Sequence, residues 1–326
     1  MVAIGLSAGG VARVRFALSC LWEVMAGVRV LRDPGRHAIH LPWVNRVRPR
    51  LAEAGLLDPD AGLLRQLVPP APGYLPDFLT PPPAGLVPDL DQELAVLRAT
   101  PPETVRAQLD LCPGPRPAAV ADLYADPDAG LRRLAEEIGT YWRLAVARDW
   151  PRIRAVLDAE VFHRARRLAE DGAAGLLNDL HERVRWEGDA LLISQRHCDA
   201  PDVPDGSGLV LVPSVFVWPS VLSIAAGDVP QLAYPARGVG GLWECPAEAP
   251  DALGAVLGRG RARLLAALDA PRSTTELARR TGLSPAGVSQ HLTALRAAGL
   301  VVTHRQGRSL LSSRTAVAEA LLGASA

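Results

Sequence analysis

Through most of residues 10–186, apolar positions recur three and four places apart, the spacing of helices that bury one face. Val14, Leu18, Leu21, Met25 and Val28 share one such face. They predict a first helix over residues 11–31, which the breakers Pro34 and Gly35 end. A short strand over residues 2–6 precedes it. Residues 43–68 predict one or two further short helices, and helical periodicity returns at 89–99, 101–111, 117–124, 128–147, 151–171 and 173–186. Between these, residues 68–88 read "VPPAPGYLPDFLTPPPAGLVP". Such a composition admits a polyproline linker or an ordered extended crossing, and Tyr74, Leu75, Phe78 and Leu79 favour a crossing packed on the body.

Across residues 190–240 the period changes to short Val- and Leu-rich runs bounded by proline and glycine. Two to four short antiparallel strands are predicted there, with turn signals at Asp205-Gly206 and Gly227-Asp228. The nearly uncharged stretch 209–226 is divided by Pro213 and Pro219, so it reads as buried strands and not as a membrane span. After "CPAEAPDALG" helical patterning resumes. The fold expected is mainly α with small β elements (α+β): a helical body over 1–250 and a smaller domain over 251–326.

In that smaller domain Leu253, Val256, Leu257, Leu264, Leu265 and Leu268 form the first apolar stripe. "STTEL" then has the form of a capping box, with the Ser273 hydroxyl accepting from the amide of Glu276 and the Glu276 carboxylate reaching back. Ser284 caps the next helix, and Pro285 occupies its first position, where a missing N–H costs nothing. Only "TGLS" separates the two helices, as in a helix-turn-helix. On the second helix Val288, Leu292 and Leu295 must face inward, which leaves Ala286, Gly287, Ser289, Gln290, Thr293 and Arg296 outside. A solvated helix normally displays salt-bridging charges. A helix in the major groove instead needs small residues for close approach and neutral donors and acceptors for base edges. Gly299 ends this helix, and a short hairpin follows whose tip carries His304, Arg305, Gln306 and Arg308, a basic wing for phosphates or the minor groove.

Charge agrees with this division. The chain is neutral overall, but residues 251–326 hold 10 arginines against four acids (+6), and residues 1–250 hold 25 against 31 (−6). An anionic partner for the smaller domain follows. All 35 basic residues are arginine, and 48% of the chain is apolar, enough for a sizeable core. Cys20, Cys112, Cys198 and Cys245 are scattered and read as reduced thiols of a cytoplasmic protein.

The segment "ELARRTGLSPAGVSQHLTALRAAGLVVTHRQGRSLL" resembles the winged helix-turn-helix of the ArsR-type family of bacterial transcriptional regulators. The resemblance spans about residues 255–315. It implies a DNA-binding repressor, and a homodimer built through the flanking helices at about 251–268 and 315–323. It also implies a palindromic operator in double-stranded DNA, with recognition helices about one turn (~34 Å) apart. Metal-sensing relatives carry a Cys-x-Cys in the helix matching "TTELARR" or Asp/His ligands on the last helix. Thr275, Glu276, Leu277 and Ala278 supply no thiol and "TAVAEALLG" no histidine, so those metal positions are not used here. "LWEVMAGVRVLRDPGRHAIHLPW" and "GLVLVPSVFVWPSV" with "LAYPARG" resemble the N-terminal region of longer actinobacterial-type regulators, a resemblance that implies an architecture and no ligand.

The expected DNA contacts are Ser284, Ala286, Gly287, Ser289, Gln290, His291, Thr293, Arg296, His304, Arg305, Gln306 and Arg308. Ser289, Gln290 and Thr293 face bases; Arg296, Arg305 and Arg308 face phosphates; His291 divides between a backbone contact and a structural place beside Leu292. No catalytic residue, cofactor or metal site is assigned. His37 and His40 sit in a loop, His197-Cys198 lack a second ligand pair, and "GVGG" (238–241) reads as a turn. Arg29, Arg32 and Asp33 read as an ion-pair group or the edge of a pocket, and Trp22, Trp43, Trp142, Trp186 and Trp218 as core. Residues 1–250 are left with three readings: a sensor for a small-molecule effector, a dimerisation or partner-binding scaffold, or an enzyme with an appended DNA-binding tail.

Overall fold

The computed structural model describes residues 2–5, 8–58, 62–71, 73–188, 190–194, 208–224, 229–243, 251–306 and 309–323. His197, Cys198, Cys245, Arg308 and the turns at 205–206 and 227–228 lie outside them. Helix makes up 59% of the chain and the strands are short, an α+β fold. The chain divides into two compact units, Met1–Trp243 and Glu244–Ala326.

The first unit opens with β1 (Val2–Gly5), the single-turn α1 (Ala8–Val11), β2 (Val14–Phe16) and α2 (Cys20–Arg32). The expected helix over 11–31 is thus cut short at its start. Val14 lies in a strand because its backbone completes a ladder with a segment some two hundred residues away. There follow α3 (Leu41–Glu53), α4 (Leu63–Leu67), α5 (Leu90–Arg98), α6 (Pro102–Asp110), α7 (Ala118–Ala125), α8 (Pro127–Tyr141) and α9 (Trp150–Asn178). Among the described residues five strands follow: β3 (Val184–Glu187), β4 (Ala190–Ile193), β5 (Leu209–Ser214), β6 (Leu222–Ile224) and β7 (Gln231–Pro235).

These form a three-stranded sheet, order β1-β4-β3, and a four-stranded sheet, order β2-β5-β7-β6. The first is antiparallel as expected. In the second, β2, β5 and β7 run parallel and only β6 is antiparallel. All six residues of β5 are buried, the continuous apolar pattern of a strand covered on both faces. The expectation of antiparallel strands fails here because the β2-to-β5 connection carries nearly all the helices of the unit, and such a crossover brings strands back in the same direction.

Helix α2 is the spine of this unit: every residue from Cys20 to Leu31 is buried. Ser19 accepts from the amide of Trp22, and the buried carboxylate of Glu93 on α5 accepts from the Ser19 hydroxyl (2.6 Å) and the amides of Cys20 (2.8 Å) and Leu21 (3.0 Å). Glu93 therefore caps a helix that is remote in sequence. Trp22 donates to Gln231 on β7, and Gln231 in turn donates to the carbonyl of Thr80, which fixes the proline-rich crossing. Arg29 and Arg32 donate to the carbonyls of Gly73 and Arg65 and so tie α2 to remote backbone, while Asp33 pairs with Arg36.

Helix α9 breaks at Gly172 (φ 70°, ψ −175°), and its last turn folds back. Arg164 reaches the side chain and carbonyl of Asp179, a residue that a straight helix would carry ~22 Å away. Buried Glu160 accepts from Arg164 and Arg237, which ties this helical hairpin to the end of β7. The helix expected to run to residue 186 stops at Asn178, because Val184–Glu187 pairs with β4.

His37 bonds the carbonyl of Trp218, and the buried Nδ1 of His40 accepts from Trp243, which clusters with Trp43 and Phe216. Trp22 and Trp43 are core, whereas Trp142, Trp186 and Trp218 are only half-buried. Among the described residues no helix is long and apolar enough to cross a membrane.

One buried group sets a pH dependence. Glu23 on α2 is fully buried and accepts from the amide of Val215 just beyond β5. Loss of solvation pushes its carboxyl up to about 8 from an ordinary 4.5, against the pull of its hydrogen bonds from the Ser214–Phe216 segment. Between those limits the folded state holds a proton that the unfolded chain releases, so stability falls as pH rises through that window. Glu23→Gln removes this dependence. The first unit of the variant should melt above the parent at about pH 9 and close to it at about pH 5, read by circular dichroism.

Candidate nucleic-acid interface

The second unit contains α10 (Asp251–Leu257), α11 (Arg259–Ala267), α12 (Thr274–Thr281), α13 (Pro285–Ala297), β8 (Val301–Gln306), β9 (Ser309–Arg314) and α14 (Ala316–Gly323). β8 and β9 form an antiparallel hairpin, and a pair of backbone bonds between Arg272 and Ser312 (2.9 and 2.8 Å) adds a third short rung. The core is drawn from every helix of the unit and includes Leu264, Leu265, Leu277, Val288, Leu292, Leu295 and Val301.

The turn between α12 and α13 is set by local chemistry. Gly282 takes a left-handed conformation (φ 70°) that ends α12. Ser284 starts α13, its Oγ accepting from the amide of Gly287 at 3.1 Å. At the head of α12, Ser273 Oγ accepts from Glu276 N as expected. The reciprocal half of the capping box differs: the Glu276 carboxylate pairs with the guanidinium of Arg272. Arg272 is buried and also binds Asp269, so the acid is drawn to the desolvated cation it can neutralise.

On α13, Val288 (0%), Leu292 (3%) and Leu295 (1%) are shut from solvent, and Ala286, Ser289, Gln290, Thr293 and Arg296 are exposed. Their hydrogen bonds sort these residues further. Thr293 Oγ1 donates to the carbonyl of Ser289 and accepts from Arg296 Nη2, each at 3.0 Å. Arg296 also donates through Nε to the carbonyl of Leu292. Among the described residues the side chains of Ser289 and Gln290 take no hydrogen bond, so both keep their full capacity. The Ser284 hydroxyl is committed to its cap.

His291 is half-buried, and its Nε2 lies 2.8 Å from the point a β-carbon on Gly260 would occupy. The ring therefore packs on the first turn of α11, in space that Gly260 leaves open by having no side chain. That contact assigns His291 chiefly to holding α13 against α11. The partner residue Gly260 carries no sequence signal, since it reads as a simple helix break.

On the hairpin, side chains alternate between faces. Val301 and Ser312 are buried and Thr303 half-buried on the face that meets the core of this unit, and the same face carries Arg305 opposite Leu310, both exposed. His304, opposite Leu311, is exposed on the other face. Gln306 occupies the last described rung, opposite Ser309. Of the sequence-predicted residues, Ala286, Ser289, Gln290, Thr293 and Arg296 form an exposed strip on α13, while Arg305 and His304 stand on opposite faces of the hairpin. The exposed Arg259, Arg261, Arg263, Arg279 and Arg280 add positive charge to the unit.

A neutral, capped helix packed at a short turn against a second helix, with a basic hairpin following, is the geometry of a DNA-reading module. Residues 261–304 match a family model described as a helix-turn-helix domain. No curated protein and no solved structure matches the chain significantly. The helix-turn-helix domain points to a DNA-binding regulator and accounts for α11 to the start of β8.

Ser284→Ala removes the cap of α13 and should cost about 1 kcal/mol of local stability. Hydrogen exchange at the Gly287 amide should accelerate, while the α2 amides, in the other unit, keep their protection.

Proposed function

We propose that this chain is a sequence-specific transcriptional regulator of the ArsR type, a cytoplasmic repressor that binds a palindromic operator as a homodimer. The observation that carries the reading is the uncharged strip of Ala286, Ser289 and Gln290 on α13. Arg296 stands at the far end of that helix and Arg305 on the adjoining hairpin. Gln290 is the donor–acceptor pair that adenine requires for bidentate recognition, and Ser289 serves a base or a phosphate. Arg296, Arg305 and Arg308 supply phosphate or groove contacts, and Gly287, Thr293, His304 and Gln306 complete the surface.

Residues 1–250 act in this reading as a regulatory body that senses a small molecule or joins two copies. An open surface groove of about 340 Å3 beside α7 and α8 is lined by Leu63, Asp122, Leu123, Asp126 and Arg133 among others. It lies within the size range of small-molecule sites, roughly 300–1,000 Å3. An effector that binds one arrangement of the dimer better than another shifts operator affinity by that difference. The positions matching the relatives' metal sites supply no thiol in α12 and no histidine in α14, which weighs against a metal effector at those places.

Fluorescence anisotropy of the full chain on labelled duplexes tests the reading. Gln290→Ala should relax preference at one base position, a loss of about 1–3 kcal/mol of discrimination, with binding to random duplex unchanged. Arg308→Ala should weaken all duplexes alike and lower the salt slope by about 1. An equal loss on every sequence for both variants contradicts base reading by Gln290, and no binding in dilute buffer overturns the proposal.

A further inference from the structure

Beneath the half-buried Leu56 and Leu57, which follow α3, lies a cavity of about 10 Å3, close to the least space that admits one water-sized occupant. Val28 and Leu31 of α2 and Leu64 of α4 complete its apolar walls. Two polar residues also line it, Arg65 of α4 and Tyr141 at the end of α8. Tyr141 is only 2% exposed, and its hydroxyl has no hydrogen-bond partner among the described residues. Arg65 Nε is likewise shut from solvent and unpartnered, and among the described residues no acid pairs with that guanidinium. Glu137, which meets the start of α4, is taken up by the Leu64 amide and by Arg133. Native proteins rarely leave buried donors unmatched, and here two border one small space.

We infer that this cavity binds a small monovalent anion, chloride in the first instance, held between the Arg65 Nε–H and the Tyr141 hydroxyl. The inference is independent of the DNA-binding reading. Water is the rival occupant. It would accept from both donors, but its own two hydrogens would then face apolar side chains. Chloride, only slightly larger than water, accepts from both, brings no hydrogen that needs a partner and supplies the charge that Arg65 lacks. The surroundings are cationic as well. Arg32 donates to the Arg65 carbonyl, and burial together with the Arg65 charge lowers its proton affinity, a repulsion that an anion relieves. The carbonyl end of α2 would disfavour an anion, but Arg48 donates to the Leu31 carbonyl there. Glu23, whose field reaches Tyr141, keeps its proton up to about pH 8 and so adds no negative charge at neutral pH. The bound ion would join α4 to α8 across the last turns of α2.

The test uses the full chain, with chloride as the ligand and gluconate, too large for the cavity, as the control anion at equal ionic strength. Tryptophan fluorescence follows the first unit alone, because every tryptophan lies within residues 1–243. Titration with chloride should raise the melting temperature by about 2–4 °C. Tyr141→Phe deletes only an unpaired hydroxyl, so it should fold and melt no lower than the parent in gluconate, yet it should weaken chloride about tenfold. Arg65→Gln should lose the chloride response altogether. In crystals grown with bromide, anomalous diffraction should place one ion against Arg65 Nε and the Tyr141 hydroxyl. Equal chloride responses in the parent and both variants would mark a general salt effect and overturn the inference. A parent that melts alike in the two salts would overturn it too, as would bromide crystals in which the cavity holds only water.

Discussion

Burial of Val288, Leu292 and Leu295 is the constraint on which the proposed function depends. Three apolar side chains at helical spacing, packed against Leu264, Leu265 and Leu277, fix the rotation of α13 about its own axis. Once that rotation is fixed, Ser289 and Gln290 have nowhere to point but outward. Burying such a side chain is worth about 1.5–3 kcal/mol, so turning the helix to bury Gln290 instead would forfeit several such contributions and leave an amide unsatisfied. The reading surface is thus a by-product of the core beneath it. The Ser284 cap and the His291–Gly260 contact set the remaining freedoms, the start of the helix and its distance from α11.

In the first unit the equivalent role belongs to α2, and it shows how the same residue type is handled in two ways. Glu93 and Glu23 are both buried carboxyls with proton affinity raised by burial. Glu93 accepts from a hydroxyl and two amides at the positive end of a helix, the arrangement that best keeps a buried carboxylate charged. Glu23, on α2, faces the segment just beyond β5, and there desolvation dominates. The first fastens α5 to α2; the second holds the backbone beyond β5. Glu160, with arginines on two sides, is a third solution, in which the charge is matched by cations inside the protein.

The helix-turn-helix was legible residue by residue because its signals are local. A serine cap, a proline at the first position, a left-handed glycine and a 3.6-residue stripe all act within one or two turns of chain. The interface list was less uniform. Arg305 and His304 are adjacent in sequence and were grouped as one basic tip, yet strand alternation puts them on opposite faces. In the sequence Leu310, beside Leu311, has the pattern of an ordinary strand residue. Its exposure depends on how far the hairpin overhangs the core, which no local pattern encodes. The Glu276 carboxylate was assigned to the backbone and found a buried arginine instead, for the same reason.

By itself the sequence determined where helices lie, which face of each is apolar, where α12 and α13 start and stop, and that the second unit is basic. Those properties are short-range, and the chain carries them wherever it goes. The direction of β2, β5 and β7, the strand in place of the start of the first helix, the return of α9 at Gly172 and the capping of α2 by Glu93 were decided only in the tertiary structure. Each joins groups far apart in sequence, through hydrogen bonds whose partners exist only after the helices between them have packed.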